Sequence, residues 1–267
     1  MKISAYVPCF NNRDTLAFAI ESVRAQSQPV DEIFVVDNAS TDGSPEVAGV
    51  RVVRLEKNSG RGGSRARAMH EAQHELVLCC DATVALDRDF ARNALPWFRD
   101  ERVAAVFGFI TQPPPRNAVE RWRGRHLFKN TTATEAQHGA SLATGGSLLR
   151  GSAVRRVGGF DATLGEGEDA DLGARLLAAG CDVIFDPKLF VTATKPNTLR
   201  EVLERYARWN THAPMGVRDY ARQIVYSIKV MAREDLRAGD PLAALISLAS
   251  PHCQFVSSFK KRGRNRR

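Results

Sequence analysis

An α/β fold with a mixed, mostly parallel sheet flanked by helices, followed by a C-terminal helical extension, is predicted by three features of the sequence. Up to about residue 110, short apolar runs alternate with segments of helical period, the pattern of a mostly parallel sheet with helices on both faces. The run Ile33-Phe34-Val35-Val36 breaks abruptly into Asp37-Asn38-Ala39-Ser40-Thr41-Asp42-Gly43, a buried strand giving way to residues of turns and helix caps. Finally, 267 residues with 43% hydrophobic and 25% charged side chains can bury one large core, or one domain with an appendage.

The elements follow in order. Residues 3–7 read as a strand and 14–26 as a helix, with Leu16, Ala19, Ile20 and Val23 on one face. Strands are expected at 32–37 and 50–55, a helix at 61–73, a buried strand at 75–81, a helix at 89–99 and a strand at 103–109. Pro113-Pro114-Pro115 then stops regular structure and opens an irregular basic stretch with Arg121, Trp122, Arg123, Arg125 and Lys129. A helix at 169–179 ends at Gly180, a suitable C-cap. A strand at 182–185 stops before Pro187. Helices are expected at 199–211 and 218–237. Leu242–Ala249 is apolar but stops at Pro251, long enough to dip into an interface and too short to span a bilayer.

Charge is distributed unevenly. The net charge is +8, yet residues 260–267 alone carry six of those charges and leave the body at about +2. A near-neutral body with a basic tail fits an anionic membrane surface or nonspecific RNA contact better than a sequence-reading domain. With no recognition motif either, nucleic acid is not expected as the partner. In the 218–237 helix, Tyr220, Ile224, Ile228 and Met231 gather on one face, and Arg218, Arg222, Lys229, Arg233 and Arg237 on another. That pattern suits either a helix docked on the domain with a solvated basic face or one lying at an anionic interface.

The five cysteines are odd in number and include no C-x-x-C pair, so neither a disulfide framework nor a zinc site is supported. Cys79 and Cys80 sit in a strand-like run as small core residues. A reducing compartment follows, and the chain enters its first strand without room for a signal peptide. The expected location is cytoplasmic, with peripheral attachment to the inner face of the membrane as an option.

Several short motifs occur together. They are Val7-Pro8 with Asn11; Val36-Asp37-Asn38-Ala39-Ser40-Thr41-Asp42-Gly43; Asn58-Ser59-Gly60 with Arg65; Asp81 at a strand end; and Gly145-Gly146. Further on come Val157-Gly158-Gly159-Phe160-Asp161, Glu168-Asp169-Ala170-Asp171-Leu172 and Arg205-Tyr206-Ala207-Arg208-Trp209. In this order, over roughly residues 1–210, the chain resembles the family 2 inverting glycosyltransferases of GT-A fold. The organisation expected from the resemblance is a GT-A domain at 1–210, an amphipathic helical extension at 211–259 and a basic tail at 260–267.

The resemblance implies transfer of a sugar from a nucleoside-diphosphate sugar, a UDP-sugar being favoured, to an acceptor hydroxyl with inversion. A glycan or lipid-linked acceptor of the cell envelope is the expected partner. Asp37 matches the carboxylate that reads the nucleobase, and the Pro8–Asn11 loop would cradle the nucleoside. Arg65 matches the arginine that closes the same pocket. Asp169 occupies the position of the general base, with Glu168 beside it; an alternative for this acidic run is simple electrostatic support of a helix N-terminus. Gly146, with Lys195, Arg205, Arg208 and Trp209, is expected at the diphosphate and acceptor end.

The chain departs from the family at the metal. Asp81 matches the first carboxylate of the usual Asp-x-Asp pair, but the second position is Thr83. The family's histidine after the last strand is also missing from Val191-Thr192-Ala193-Thr194-Lys195. A Mg2+ or Mn2+ ion at Asp81 would lose two ligands, and cationic side chains could take over the diphosphate. Weaker metal dependence than the family norm is therefore expected. The competing readings are a degenerate relative that binds nucleotide without catalysis, and a sugar-nucleotide pyrophosphorylase, whose Gly-rich first loop is absent from Val7-Pro8-Cys9-Phe10-Asn11-Asn12.

Overall fold

A computed structural model of the chain describes residues 1–128, 134–210 and 215–264, with side chains through 258. The strands are β1 (Ile3–Cys9), β2 (Glu32–Asp37), β3 (Arg51–Arg54), β4 (Leu76–Cys80), β5 (Val84–Leu86), β6 (Val103–Thr111), β7 (Gly146–Arg150) and β8 (Asp182–Ala193). The helices are α1 (Arg13–Arg24), α2 (Gly60–Glu71), α3 (Phe90–Ala94), α4 (Ala118–Trp122), α5 (Gly151–Arg156), α6 (Glu168–Ala178), α7 (Leu199–Asn210), α8 (Val217–Tyr226), α9 (Arg233–Arg237) and α10 (Pro241–Arg264). Two compact units result: Met1–Pro113 with Thr132–Lys195, and Pro114–Thr131 with Pro196–Arg267. The division at residue 195 lies inside the expected 1–210 domain, because α7 packs with α10.

The first unit carries an eight-stranded sheet in the order β3-β2-β1-β4-β7-β6-β8-β5. Pairs β1–β2, β1–β4, β2–β3 and β6–β8 are parallel, and the pairs involving β7 and β5 are antiparallel. Side-chain alternation divides the core between the two faces of the sheet. Ile3, Ala5 and Val7 of β1 join Leu16, Ile20 and Val23 of α1 on one face. Tyr6, Phe34 and Cys79 join Met69 of α2 and Leu172 and Leu176 of α6 on the other. Every residue of β4 is buried, as a central strand covered on both faces requires.

Two proline expectations are corrected. Pro187 does not end the strand that begins at Asp182: β8 runs on to Ala193. The register on β6 slips between Phe107↔Phe185 and Phe109↔Phe190, so the proline lies in a bulge that needs no ladder donor. Gly108 permits the excursion, since a Cβ there would sit 2.0 Å from the Leu189 carbonyl oxygen.

Nor does Pro251 stop the last helix, for α10 continues through it to Arg264. A helical proline leaves the carbonyl four residues back without its N–H. Here that carbonyl, of Ser247, accepts from the Ser227 hydroxyl at 2.5 Å and the Ser250 hydroxyl at 2.8 Å.

The second unit is helical. The stretch after the prolines forms α4 and a π-helical turn at Arg123–Phe128 where irregular chain was expected; Lys129 lies outside the described residues. Asn117 caps α4 by accepting the Glu120 N–H at 2.9 Å. Trp122 is wholly buried against Tyr206, and its Nε1 donates to Ser247 Oγ at 2.8 Å. Ser247 in turn donates to Asp235 Oδ2 at 2.5 Å. The buried Asp235 carboxylate also meets Arg125 and His126 Nε2, the latter at 2.8 Å. A carboxylate taken out of water needs such partners.

Candidate active site

The carboxyl ends of β1, β2 and β4 emerge side by side, where open α/β sheets bind ligands. Register sets Pro8 opposite Val36 and Cys9 opposite Asp37, and Asp81 directly follows β4. The two loops above this edge are tied to each other. The Asn11 N–H donates to Ser40 Oγ and the Thr41 N–H to Asn11 Oδ1, both at 2.9 Å. Asn11 adopts φ +53°, a left-handed conformation asparagine tolerates. Its side chain is thus engaged in the loop clasp.

Ala39 stands at φ +63°, which costs a non-glycine residue about 1–3 kcal/mol. Asp37 holds that turn from below: its two carboxylate oxygens accept the Ser40 N–H at 3.2 and 3.3 Å. Arg54 Nε stands 3.5 Å away, and its Nη2 donates to the Ser40 carbonyl at 3.0 Å. Asp37 has no exposed surface in this arrangement.

Asn38, which the sequence reading did not single out, anchors the start of α2. Its Oδ1 accepts the Ser59 N–H at 2.8 Å, and its Nδ2 donates to Asn58 Oδ1 at 2.9 Å and the Gly60 carbonyl at 3.1 Å. The glycines after it have a packing purpose. A Cβ on Gly62 would sit 2.0 Å from the Asp161 carbonyl oxygen, and the Gly62 N–H donates to the Leu164 carbonyl at 2.9 Å. The loop 161–165 therefore seats directly on α2, and that seating brings the first turn of α6 over Arg65.

Arg65 is buried, not the solvated helix charge its surroundings of Arg61 and Arg67 could suggest. Its Nε donates to Glu168 Oε1 and its Nη2 to Asp81 Oδ1, each at 2.9 Å, while Nη1 lies 3.4 Å from Cys79 Sγ. Burial opposes the guanidinium charge, but Asp81 foremost, then Cys79, Tyr6 and Glu168, hold its pKa well above the usual value. Burial also pushes the Cys79 thiol up to about 12, so it stays protonated. One cation thus faces two carboxylates. Glu168 Oε2 is buried without a hydrogen-bond partner among the described residues.

Asp169, one residue further on, is half-buried, and its Oδ1 accepts the Ala170 N–H at 2.9 Å. Glu168 and Asp169 are adjacent in sequence and differ in environment: the first is drawn inward onto Arg65, the second stays partly open.

Gly146 pairs with Cys80 at the start of β7. A Cβ there would fall 2.1 Å from Val191 Cγ1, so close packing of β7 under β8 accounts for this glycine. Thr83 and Thr194 are neighbours, the Thr194 N–H donating to the Thr83 carbonyl at 2.9 Å. Each of these neighbours carries a hydroxyl and no carboxylate or imidazole. Among the described residues, no group of three or more His, Cys, Asp or Glu side chains could hold a metal ion. One oxygen of Asp81 is already bonded to Arg65. These residues do not fit a protein-built divalent site.

Lys195 is exposed just past the end of β8. Arg205, Arg208 and Trp209 lie on α7 in the second unit, the arginines half-buried and Trp209 exposed. Among the described residues, no helix is long and apolar enough to cross a membrane.

Comparison with known proteins adds a family. The model of "Glycosyl transferase family 2" matches residues 4–158. The pre-mycofactocin glycosyltransferase of Mycobacterium tuberculosis is 27% identical over 229 residues, covering 81% of this chain and 48% of that protein. The poly-beta-1,6-N-acetyl-D-glucosamine synthase of Staphylococcus epidermidis is 22% identical over 223 residues, covering 78% and 53%. The chain spans about half the length of these curated relatives.

Among solved structures, S. aureus TarS 1-349 in complex with UDP-GlcNAc aligns with TM-score 0.59 and 16% identity, covering 98% of this chain and 92% of that one. The mannosyltransferase PcManGT of Pyrobaculum calidifontis, in complex with GDP-Man and Mn2+, aligns with TM-score 0.57 and 18% identity, covering 93% and 73%. Both share the curled, mixed sheet flanked by helices, the GT-A architecture expected from the sequence.

Proposed function

The chain belongs to glycosyl transferase family 2, and from that premise we propose that it moves a sugar from a nucleoside-diphosphate sugar to an acceptor hydroxyl with inversion. The observation that carries the reading is the shared guanidinium of Arg65. It joins Asp81, at the end of β4, to Glu168, at the start of the helix that bears Asp169. Donor side and base side are thereby held by one buried cation.

In the reaction, the acceptor oxygen attacks the anomeric carbon as the bond from that carbon to the β-phosphate oxygen breaks on the opposite face. Asp169 takes the hydroxyl proton, and the nucleoside diphosphate departs with the bonding pair. Glu168, committed to Arg65, positions the helix and is not the base. Asp81 faces the nucleoside and its ribose, with Pro8 and Asn11 shaping the wall beside it. For Asp37 to meet a base, the Ala39–Ser40 turn that covers it has to open.

Charge developing on the leaving diphosphate needs a preorganised cation. Lys195, exposed just past the end of β8, is assigned that work. A divalent ion is the family's usual device, and PcManGT was solved with Mn2+. Asp81 would hold such an ion only together with the donor's own diphosphate oxygens, and no step is assigned to it.

Neighbours carrying UDP-GlcNAc and GDP-Man support a sugar nucleotide as donor. The poly-beta-1,6-N-acetyl-D-glucosamine synthase relative supports a glycan acceptor of the cell envelope; a lipid-linked one rests on the family resemblance. Five free cysteines agree with a cytoplasmic setting.

Asp169→Asn tests the proposal. Loss of a general base lowers turnover by about 10²–10⁴-fold, with nucleotide affinity unchanged within a few-fold. Turnover within a few-fold of the parent would remove Asp169 from the role. A second reading, nucleotide binding without transfer, is favoured by Thr83 in place of the family's second carboxylate and by the absence of a His from 191–195. It requires sugar-nucleotide binding with no donor consumption under any acceptor tried.

A further inference from the structure

Within the second unit, α8, a π-helical turn at Ser227–Ala232 and α9 form one continuous helical run from Val217 to Arg237. It spans about 30 Å at 1.5 Å per residue. One side of it faces α10. Tyr220 stacks on Phe255 at 4.4 Å, while Ser227, Met231 and Asp235 are buried.

Another side holds apolar residues in the open. Val217, Val225, Ile228 and Leu236 are exposed from 49% (Val225) to 78% (Val217). The expected apolar face is thus split. Met231 turns inward, Tyr220 and Ile224 are half-buried, and Ile228 remains outside.

Cations accompany this open row in a regular way. Val217-Arg218, Ala221-Arg222, Ile228-Lys229 and Leu236-Arg237 are apolar–basic doublets with both members exposed, and Arg233, after the buried Ala232, is a fifth exposed cation. Successive residues lie about 100° apart around a helix, so the doublets set a basic row along the flank of the apolar one. All five cations are exposed, and the exposed acids of the run are Asp219 and Glu234. Six more positive charges follow at 260–267, a tail whose side chains lie outside the described residues.

We propose that this face of the second unit docks on an anionic lipid surface, its apolar row entering the headgroup boundary and its basic row meeting the lipid charges. Charge complementarity selects that occupant. A second copy of the chain would set basic row against basic row, and a neutral apolar partner would offer the cations no opposite charge beyond the chain's own Asp219, which stands 3.5 Å from Arg222. An apolar row flanked by lysine and arginine is the composition of helices that lie in a bilayer interface. Each near-surface cation strengthens such binding by roughly fivefold. The proposal stands apart from the transferase reading, because nothing in it uses the first unit.

Flotation of the full chain with vesicles tests it. Phosphatidylcholine vesicles are compared with vesicles also containing phosphatidylglycerol, at about 50 mM and about 500 mM salt. Binding is expected to the anionic vesicles and to fall at high salt. Val225→Asp with Ile228→Asp should weaken it by about tenfold or more, and Lys229→Glu with Arg233→Glu by at least as much. Unchanged thermal melting and nucleotide binding establish that these variants are folded.

Absence of binding to anionic vesicles overturns the proposal, as does equal, salt-insensitive binding to phosphatidylcholine. Binding abolished by deleting 260–267 yet untouched by both double variants assigns it to the tail and overturns the face. Dimers of the parent dispersed by Val225→Asp with Ile228→Asp would assign the face to a second copy instead.

Discussion

Arg65 and Glu168 are 103 residues apart in sequence and joined at 2.9 Å, both buried. The buried Glu168 side chain depends on this contact, while Arg65 keeps a second carboxylate, Asp81, at 2.9 Å. Breaking a buried pair from one side costs about 3–5 kcal/mol, because the remaining charge is stranded. Arg65→Ala is therefore expected to lower the free energy of unfolding by about that much, while Asp169→Asn, at a half-buried site with only a local bond, changes it by less than about 1 kcal/mol. Urea titration checks both. In a double-mutant cycle, Arg65→Ala and Glu168→Gln should couple by more than about 1 kcal/mol; additive effects would mean the contact carries no stability.

Gly62 is where the loop 161–165 rests on α2. Gly62→Ala forces a methyl group against the Asp161 carbonyl, 2.0 Å from its oxygen. Overpacking of this kind costs about 1–3 kcal/mol. The displaced loop leads into the helix that carries Asp169, so turnover should fall further than nucleotide affinity does. Ala at Gly139, whose Cβ would meet nothing within 4 Å, is the control for the methyl group itself, although φ +65° there adds backbone strain.

Acid should unfold the first unit in a defined window. Burial works to raise the Glu32 carboxyl, but the Ser4 hydroxyl, the Gln73 N–H and Arg51 hold it below its usual value. Glu75 is likewise lowered against burial by Ser152 and Arg155, and Asp182 by His138 and the Gly139 N–H. Folded-state values below the unfolded ones mean stabilisation that is complete above the unfolded values, near 4, and lost as pH falls through the folded ones. The melting temperature should be level from about pH 8 to 5 and decline below about 4.5. A rise on acidification would contradict these directions.

The element boundaries were legible from local pattern, while the roles expected of Asp81, Glu168 and Asp169 came from the family resemblance. Asp37, Asp81 and the Glu168-Asp169 pair each end a strand or begin a helix, and such positions are marked by neighbouring residues. What the sequence concealed depends on distant partners. Nothing near Arg65 announces Glu168, and nothing near Asn38 announces that it binds Asn58 and Ser59. Nor does the sequence around Gly62, at the head of the expected 61–73 helix, announce that 161–165 rests on it.

Both prolines misled for a related reason. Pro251 breaks a helix only if the Ser247 carbonyl goes unsatisfied, and the hydroxyl of Ser227, on another helix, prevents that. Pro187 ends a strand only where the ladder needs its N–H, and the bulge against Gly108 removes the need.

The most direct test of the site is calorimetry of UDP and GDP binding in EDTA and in Mn2+, on the parent and on Thr83→Asp. With Thr83 in place of a second carboxylate beside Asp81, the parent should bind one of these nucleotides with affinity that EDTA changes by no more than a few-fold. Thr83→Asp restores a hard oxygen ligand and should make Mn2+ increase affinity by about tenfold or more. Parent binding that vanishes in EDTA and returns with Mn2+ would contradict the account, placing a metal at Asp81 despite Thr83.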